Sequence, residues 1–363
     1  GAMARKFMRI PTRSVAILTA ISALLLGLVA PTSADALVLV RPATHWGNVY
    51  AGPPTNILQS PTPKVGKLEK KSKIIVKYNN FPEWTKPQVQ AAVDVWAANF
   101  ESSVPIYIEA TWGRSSSFSI LGSARPGSYF SNFKGAPDSS LWYPSALANA
   151  LAGKDLDGDN PEMIITVNSL ANWYRGTGSG PTKSEYDLQS VILHEMAHGL
   201  GFLSTDSYDD FFGYGSIDQP TPYTAYVQTG DGRRLSDLPS PSLELGEALT
   251  SKLVWSGPLG VAANGGVKPL LYTPKKYEDG SSVSHLDEAT FSNAGKDAAM
   301  SPNLDAGEIF HEPGPLLLAM MQDLRNKPPV GIAVGIPQQV RNAQALVSDS
   351  SAIVRFDPPA NAR

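Results

Sequence analysis

The 363-residue chain contains no cysteine. That excludes disulfide staples, thiol nucleophiles and thiolate metal sites, so any metal has to be held by histidine, aspartate or glutamate. Histidine is itself scarce, with five in the whole chain: His45, His194, His198, His285 and His311. Charge of one sign is also lacking. The net charge of −3 gives no reason to expect nucleic acid or an anionic membrane surface as partner. Beyond the N-terminus no apolar run reaches the length of a membrane span. Turn formers are plentiful, 31 glycines and 30 prolines, which implies many turns and long connections. With 42% hydrophobic residues, the length suits two domains or one large one with appendages, and a sizeable core.

Gly1-Ala2-Met3 reads as a remnant of expression cloning. Lys6, Arg9 and Arg13 then precede the apolar stretch Val15 to Ala30, followed by Pro31 and the Ala34-Asp35-Ala36 cleavage pattern. A positive end, a short apolar run and small residues at a cleavage site are the marks of a secretory signal. Residues 1–36 are therefore expected to be removed on export, and a cysteine-free exported chain fits bacterial secretion. Residues 37–70 read as an N-terminal extension.

From there to about 326 the pattern predicts one main α+β body, a twisted mixed sheet with helices and then a loop-rich half. Lys73 to Tyr78, Pro105 to Thr111 and Met163 to Val167 are β-branched or apolar runs of strand length. Thr85 to Phe100 repeats apolar residues at helical spacing, with Thr85 and Pro87 as start signals. Asp187 to Leu200 and Pro315 to Leu324 read as helices. Phe202 to Val283 is rich in Gly, Pro, Ser and Tyr and reads as a long insertion with one helix around Leu243 to Leu253.

Within the Asp187 helix, VILHEMAHGLGFLS contains H-E-x-x-H at His194, Glu195 and His198. Residues four apart share a helix face, so the two imidazoles can hold one Zn2+ while Glu195 reaches a water on it. Val191-Ile192-Leu193 can bury the far side, and Gly199 and Gly201 can end the helix sharply. A catalytic zinc needs a third protein ligand. His45 reads as a surface or packing residue. His285, in the short polar stretch SVSHLDE, is preferred over His311, which lies in FHEP.

The segments HEMAHGLGF, SHLDE and AAMSP resemble the metzincin zinc metallopeptidases, closest to the leishmanolysin-like branch. The resemblance extends over about residues 70–325. It implies His194, His198 and His285 as zinc ligands, Glu195 as catalytic base, Met300 as the methionine of the turn beneath the metal, and Ile309 to Leu324 as the closing helix. It also implies an active-site cleft between the two halves. The sequence departs from the compact metzincin pattern at Ser204, where a histidine or aspartate would stand. Asp206 is the nearest carboxylate and is the alternative third ligand.

The implied activity is that of a secreted zinc endopeptidase. Zinc activates a water and polarises a peptide carbonyl, while Glu195 shuttles the proton. An oxyanion-stabilising tyrosine could be Tyr208, Tyr214, Tyr223 or Tyr226. The expected partner is a protein or peptide substrate paired to an exposed strand edge, met by a monomer with no stable membrane insertion. The rival reading is a zinc-bearing binding or adhesion protein without turnover. Asp155, Asp157 and Asp159, in DLDGDN, offer alternating acidic oxygens and a possible Ca2+ site, without the full EF-hand spacing. Residues 327–363 read as a linker and the first two strands of a fibronectin type III-like segment.

Overall fold

In the computed structural model the described residues are 37–59, 67–292 and 295–329, with the backbone of 341–348 and 351–357. Residues 1–36, expected to form a secretory signal, lie outside them. Among the described residues no helix is long and apolar enough to cross a membrane.

Two strands open the described chain, β1 (Leu39–Pro42) and β2 (Gly47–Pro54). After them come β3 (Ile74–Asn79) and α1 (Lys86–Asn99). Val89, Ala92, Val93 and Trp96 of α1 are buried at helical spacing, and proline stands in the first turn, where its missing N–H costs nothing. Thr85 does not cap α1 with its side chain; its hydroxyl donates backwards to the Pro82 carbonyl. In β4 (Ile106–Gly113) every second residue from Ile106 to Ala110 is buried, the period of a strand with one face on the core. Next are β5 (Ile120–Pro126), β6 (Ser128–Ser131), β7 (Tyr143–Pro144), α2 (Ser145–Ala152) and β8 (Met163–Asn168). The motif helix is α3 (Leu188–Leu200).

The fold is mixed α+β around a six-stranded sheet of order β13-β2-β5-β8-β4-β3. Strands β3, β4 and β8 run parallel. Strand β5 is antiparallel to both β8 and β2. Helices α1 and α3 pack together, and the indole of Trp96 donates to the Leu193 carbonyl at 2.9 Å, joining the two with a buried bond.

The stretch after α3 holds more regular structure than its composition suggests. Strands β9 (Asp206–Tyr208) and β10 (Gly215–Ile217) form one ribbon, and β11 (Val227–Thr229) pairs with β12 (Leu253–Trp255). Between them lie α4 (Pro222–Tyr226) and α5 (Leu243–Leu249). The helix expected to reach Leu253 stops at Leu249, because Leu253 belongs to β12. After α6 (Pro258–Ala263) and α7 (Glu288–Phe291), β13 (Asn303–Ala306) pairs parallel with β2, and α8 (Pro315–Asp323) follows. At the end β14 (Arg341–Ser348) and β15 (Ser351–Asp357) form a hairpin. The rest of that tail lies outside the described residues.

The main departure from expectation is in residues 37–70. Read as an extension, this stretch supplies β1, which pairs with β6, and β2, which lies inside the main sheet. Its sequence GNVYAGPP has almost no β-branched content, so side-chain pattern gives no strand signal. Backbone pairing on both flanks makes it one. Strand β2 therefore stands where an open cleft between the halves was expected.

Candidate metal centre

Asp187 holds the start of α3: its side chain accepts from the Ser190 amide at 3.0 Å and the Ser190 hydroxyl at 2.6 Å, satisfying a donor that the first helical turn leaves open. His311 binds the same carboxylate at 2.6 Å and so is a support of the helix rather than a ligand. At the other end Gly201 adopts φ 126°, a conformation that favours glycine. Gly199 lies against β8; a Cβ there would come within 2.3 Å of the Met163 side chain.

The third histidine arrives by a different route. Val283 sits at φ 69°, an uncommon conformation for a β-branched residue. The surrounding bonds enforce it. Val283 donates to the Tyr272 carbonyl at 2.8 Å, Tyr272 donates to the His285 carbonyl at 2.9 Å, and Tyr223 Oη donates to the Val283 carbonyl at 2.7 Å. The Ser204 amide donates to Ser284 Oγ at 2.9 Å, tying this turn to the exit of α3.

His194, His198 and His285 meet, all fully buried. Their Nε2 atoms are 3.0, 3.1 and 3.2 Å apart. Each Nδ1 lies against a backbone carbonyl: His194 on Ala299 at 2.7 Å, His198 on Phe202 at 2.7 Å, His285 on Ser281 at 2.8 Å. A carbonyl can only accept, so each Nδ1 carries the proton and each neutral ring turns its Nε2 lone pair inward. Burial holds all three rings neutral, pushing His194 down to about 3 and His285 to about 4, and His198 well below its ordinary value.

Three lone pairs facing one another repel unless a cation lies between them. From these spacings each nitrogen is about 1.8 Å from their common centre, inside the roughly 2.0–2.1 Å of a zinc–imidazole bond, so one ion can reach all three. The trio can therefore hold a metal ion. The carbonyls on Nδ1 are the partners that orient imidazole ligands. Met300 is buried in the short turn Ala298–Met300 directly after the carbonyl that binds His194, and its own carbonyl accepts from Leu286 at 2.8 Å.

Glu195 is equally buried, and neither carboxylate oxygen has a well-aligned hydrogen-bond partner. Burial raises its pKa well above the usual carboxylate range, opposed by the Val49 backbone. Gly122 of β5 leaves room for it: a Cβ there would lie 3.2 Å from Glu195 Cγ and 2.9 Å from Val191.

The other candidates are placed elsewhere. Asp206 is buried but accepts from Ser204 and, at 2.6 Å, from Tyr277 Oη; it is outside the trio. His45 binds Ser207 Oγ at 3.1 Å. Tyr223 and Tyr226 spend their hydroxyls on the carbonyls of Val283 and Asn326. Tyr208 stacks on Tyr277, and Tyr214 is exposed. A second group that could hold a metal is Asp155, Asp157 and Glu162. Glu162 replaces the expected Asp159: Asp159 is exposed, whereas the buried Glu162 carboxyl and that of Asp155 both accept from the Asn149 amide.

Sequence reasoning misses Gly47 and Asn48. A Cβ on Gly47 would fall 2.3 Å from the His198 ring, and the Asn48 amide donates to the Gly280 carbonyl at 3.0 Å, beside the turn that carries His285. Nothing in the local pattern marks either one. Compared with protein-family models, curated proteins and solved structures, the chain matches none.

Proposed function

We propose that this protein is a secreted zinc endopeptidase of metzincin-like plan. The observation that carries the reading is the convergence of three Nε2 lone pairs beside a buried carboxyl that no hydrogen bond satisfies. A zinc ion held by His194, His198 and His285 would supply Lewis acidity, activating a water and polarising a peptide carbonyl.

The chain's own groups then have defined tasks. The Ala299, Phe202 and Ser281 carbonyls fix the tautomer and orientation of the three rings. Glu195 accepts the proton of the attacking water and returns it to the leaving amine. The proposed substrate is an extended polypeptide, which pairs well with a sheet edge. Asp155, Asp157 and Glu162 are proposed as a separate calcium site that steadies the loop before β8.

Full burial of the trio favours one rival, a closed structural zinc site in a binding protein. Glu195 separates the two, because a structural site has no use for an unpaired carboxyl. Glu195→Gln should keep one zinc per chain and lose hydrolysis of an unstructured polypeptide by at least about a hundredfold. Equal turnover in both proteins would remove the mechanism. Absence of turnover in both would favour the binding protein.

A further inference from the structure

The β9–β10 ribbon ends in a tip of sequence Asp209-Asp210-Phe211-Phe212-Gly213-Tyr214, whose rings are turned to solvent. Phe211 is 85% exposed, Phe212 63% and Tyr214 43%. The two phenyl rings cross at 81° with centroids 4.6 Å apart, and the Tyr214 ring lies 6.5 Å from that of Phe212. Leu243, at the start of α5 and 57% exposed, joins them: a Cβ on Gly213 would lie 3.8 Å from its Cδ2. A gathered apolar patch of this kind, unlike a lone exposed ring, marks a place of contact.

The tip is built to hold these rings out. Asp209 Oδ1 accepts from the Phe211 amide at 2.8 Å and from the Phe212 amide at 3.2 Å. The Asp209 carbonyl accepts from Gly213 at 2.7 Å, and its amide donates to the Tyr214 carbonyl at 2.8 Å. Gly213 turns the chain at φ 76°, a conformation that favours glycine. Behind the tip, Gly215 and Ser242 exchange two backbone bonds of 2.9 and 3.0 Å. Gly246 approaches so closely that a Cβ there would strike the Gly213 carbonyl. The turn is fixed before any partner arrives, so little conformational freedom is lost on binding.

Shape and charge select the partner. The patch is a projection rather than a groove, so it does not cradle a peptide. A lipid interface, by contrast, yields to a convex apolar shape without having to offer a matching pocket. Charge disfavours an anionic surface. No lysine or arginine stands between Lys183 and Arg233, and Arg233 is already paired with Asp231 and Glu244. The rim is acidic instead: Asp210 precedes the rings and Glu247 lies one helical turn after Leu243, both exposed. Carboxylates beside open aromatic faces complement a quaternary ammonium, the outermost group of a phosphatidylcholine surface.

We propose that this tip is a shallow, reversible anchor for a phosphatidylcholine surface, with Phe211, Phe212, Tyr214 and Leu243 entering the headgroup layer and Asp210 facing the choline groups. The anchor goes beyond the peptidase reading and does not depend on it. It needs no spanning element. One small apolar tip holds a protein only weakly, with half-saturation at about millimolar lipid.

The test uses the chain from Leu37 onward, which carries every described element and lacks the apolar residues 15–30 that would bind lipid by themselves. Co-sedimentation with phosphatidylcholine vesicles should fall about tenfold or more in the double variant Phe211→Ser/Phe212→Ser, while its melting temperature stays that of the wild type. Phosphatidylglycerol vesicles should bind the wild type less well, and Asp210→Lys should raise their binding about fivefold. Brominated phosphatidylcholine should quench the emission added by Phe211→Trp, as an indole inside the interface requires. Equal sedimentation of wild type and double variant, preference for phosphatidylglycerol, or no quenching of the added indole would each overturn the proposal. Two further results would give the tip a different occupant and overturn it as well. One is self-association, in place of vesicle binding, that the double variant abolishes; the other is capture of casein, in place of vesicles, that it loses.

Discussion

The two arms of the candidate metal centre are built on different principles. His194 and His198 ride on one helix, and their separation follows from its geometry once that helix is capped by Asp187 and ended at Gly201. His285 has no such rail. It comes at the end of a long excursion through two ribbons and several short helices, and a left-handed turn at Val283 aims it. Tyr223, Tyr272 and Ser204 hold that turn. The helical arm is specified locally, whereas the loop arm is specified by contacts far apart in the chain. The two should therefore be equal in metal binding and unequal in how they fail.

The largest expected effect treats the arms as equals. His198→Ala and His285→Ala should each weaken zinc binding by more than about a hundredfold, since each removes one of three ligands. Competition with a chelator of known affinity checks this. Wild-type affinity in His285→Ala would break the equality and return the ligand role to another residue.

The next effect separates them. Asp187→Ala removes a buried helix cap that also binds His311, and should cost about 2 kcal/mol in urea unfolding. Zinc affinity in the folded fraction should change little. Tyr223→Phe should cost about 1 kcal/mol, for one lost hydrogen bond. It should nevertheless lower zinc affinity by about tenfold, because the loop arm loses its anchor. If the two variants showed the opposite pattern, with Asp187→Ala hurting the metal and Tyr223→Phe only stability, the distinction between the arms would fall.

The same contrast governs how much of the molecule is legible in its sequence. The H-E-x-x-H spacing, the apolar flank and the glycine exit are local signals, and α3 forms where they place it. So do α1, β3, β4, β8 and α8, whose apolar periods are strong and whose boundaries shift by only a residue or two. The choice of His285 rests on the scarcity of histidine and on a family resemblance. The bonds that place it join residues such as Tyr223 and Val283, which no short window contains. Strand β2 is illegible for a related reason. Its membership of the sheet comes from backbone hydrogen bonds to β5, β13 and Gly280, and GNVYAGPP carries no side-chain period to announce them. Glu162 escapes notice because the alternating acidic pattern ends at Asp159, while the carboxyl that joins Asp155 and Asp157 stands just before β8.

The smallest effect lies away from the histidine trio. Burial raises Glu162 to about 7, against an ordinary carboxylate value near 4.5. Between about pH 4.5 and 7 the folded chain therefore holds more protons at this group than the unfolded chain, and its contribution to stability falls as pH rises through that window. Glu162→Gln should flatten this part of the stability–pH curve in metal-free buffer. Calcium should do the same for the wild type, by favouring the ionised carboxyl, and should leave the variant less affected. A wild-type curve that falls no further than that of the variant would contradict the assignment.

The central claim, one metal held jointly by both arms, is tested most directly by zinc X-ray absorption on the purified protein, alongside His285→Ala. The account predicts one zinc per chain with three imidazole nitrogens at roughly 2.0–2.1 Å, falling to two imidazoles or to loss of the metal in the variant. A spectrum showing only two imidazoles in the wild type, unchanged by His285→Ala, would contradict it.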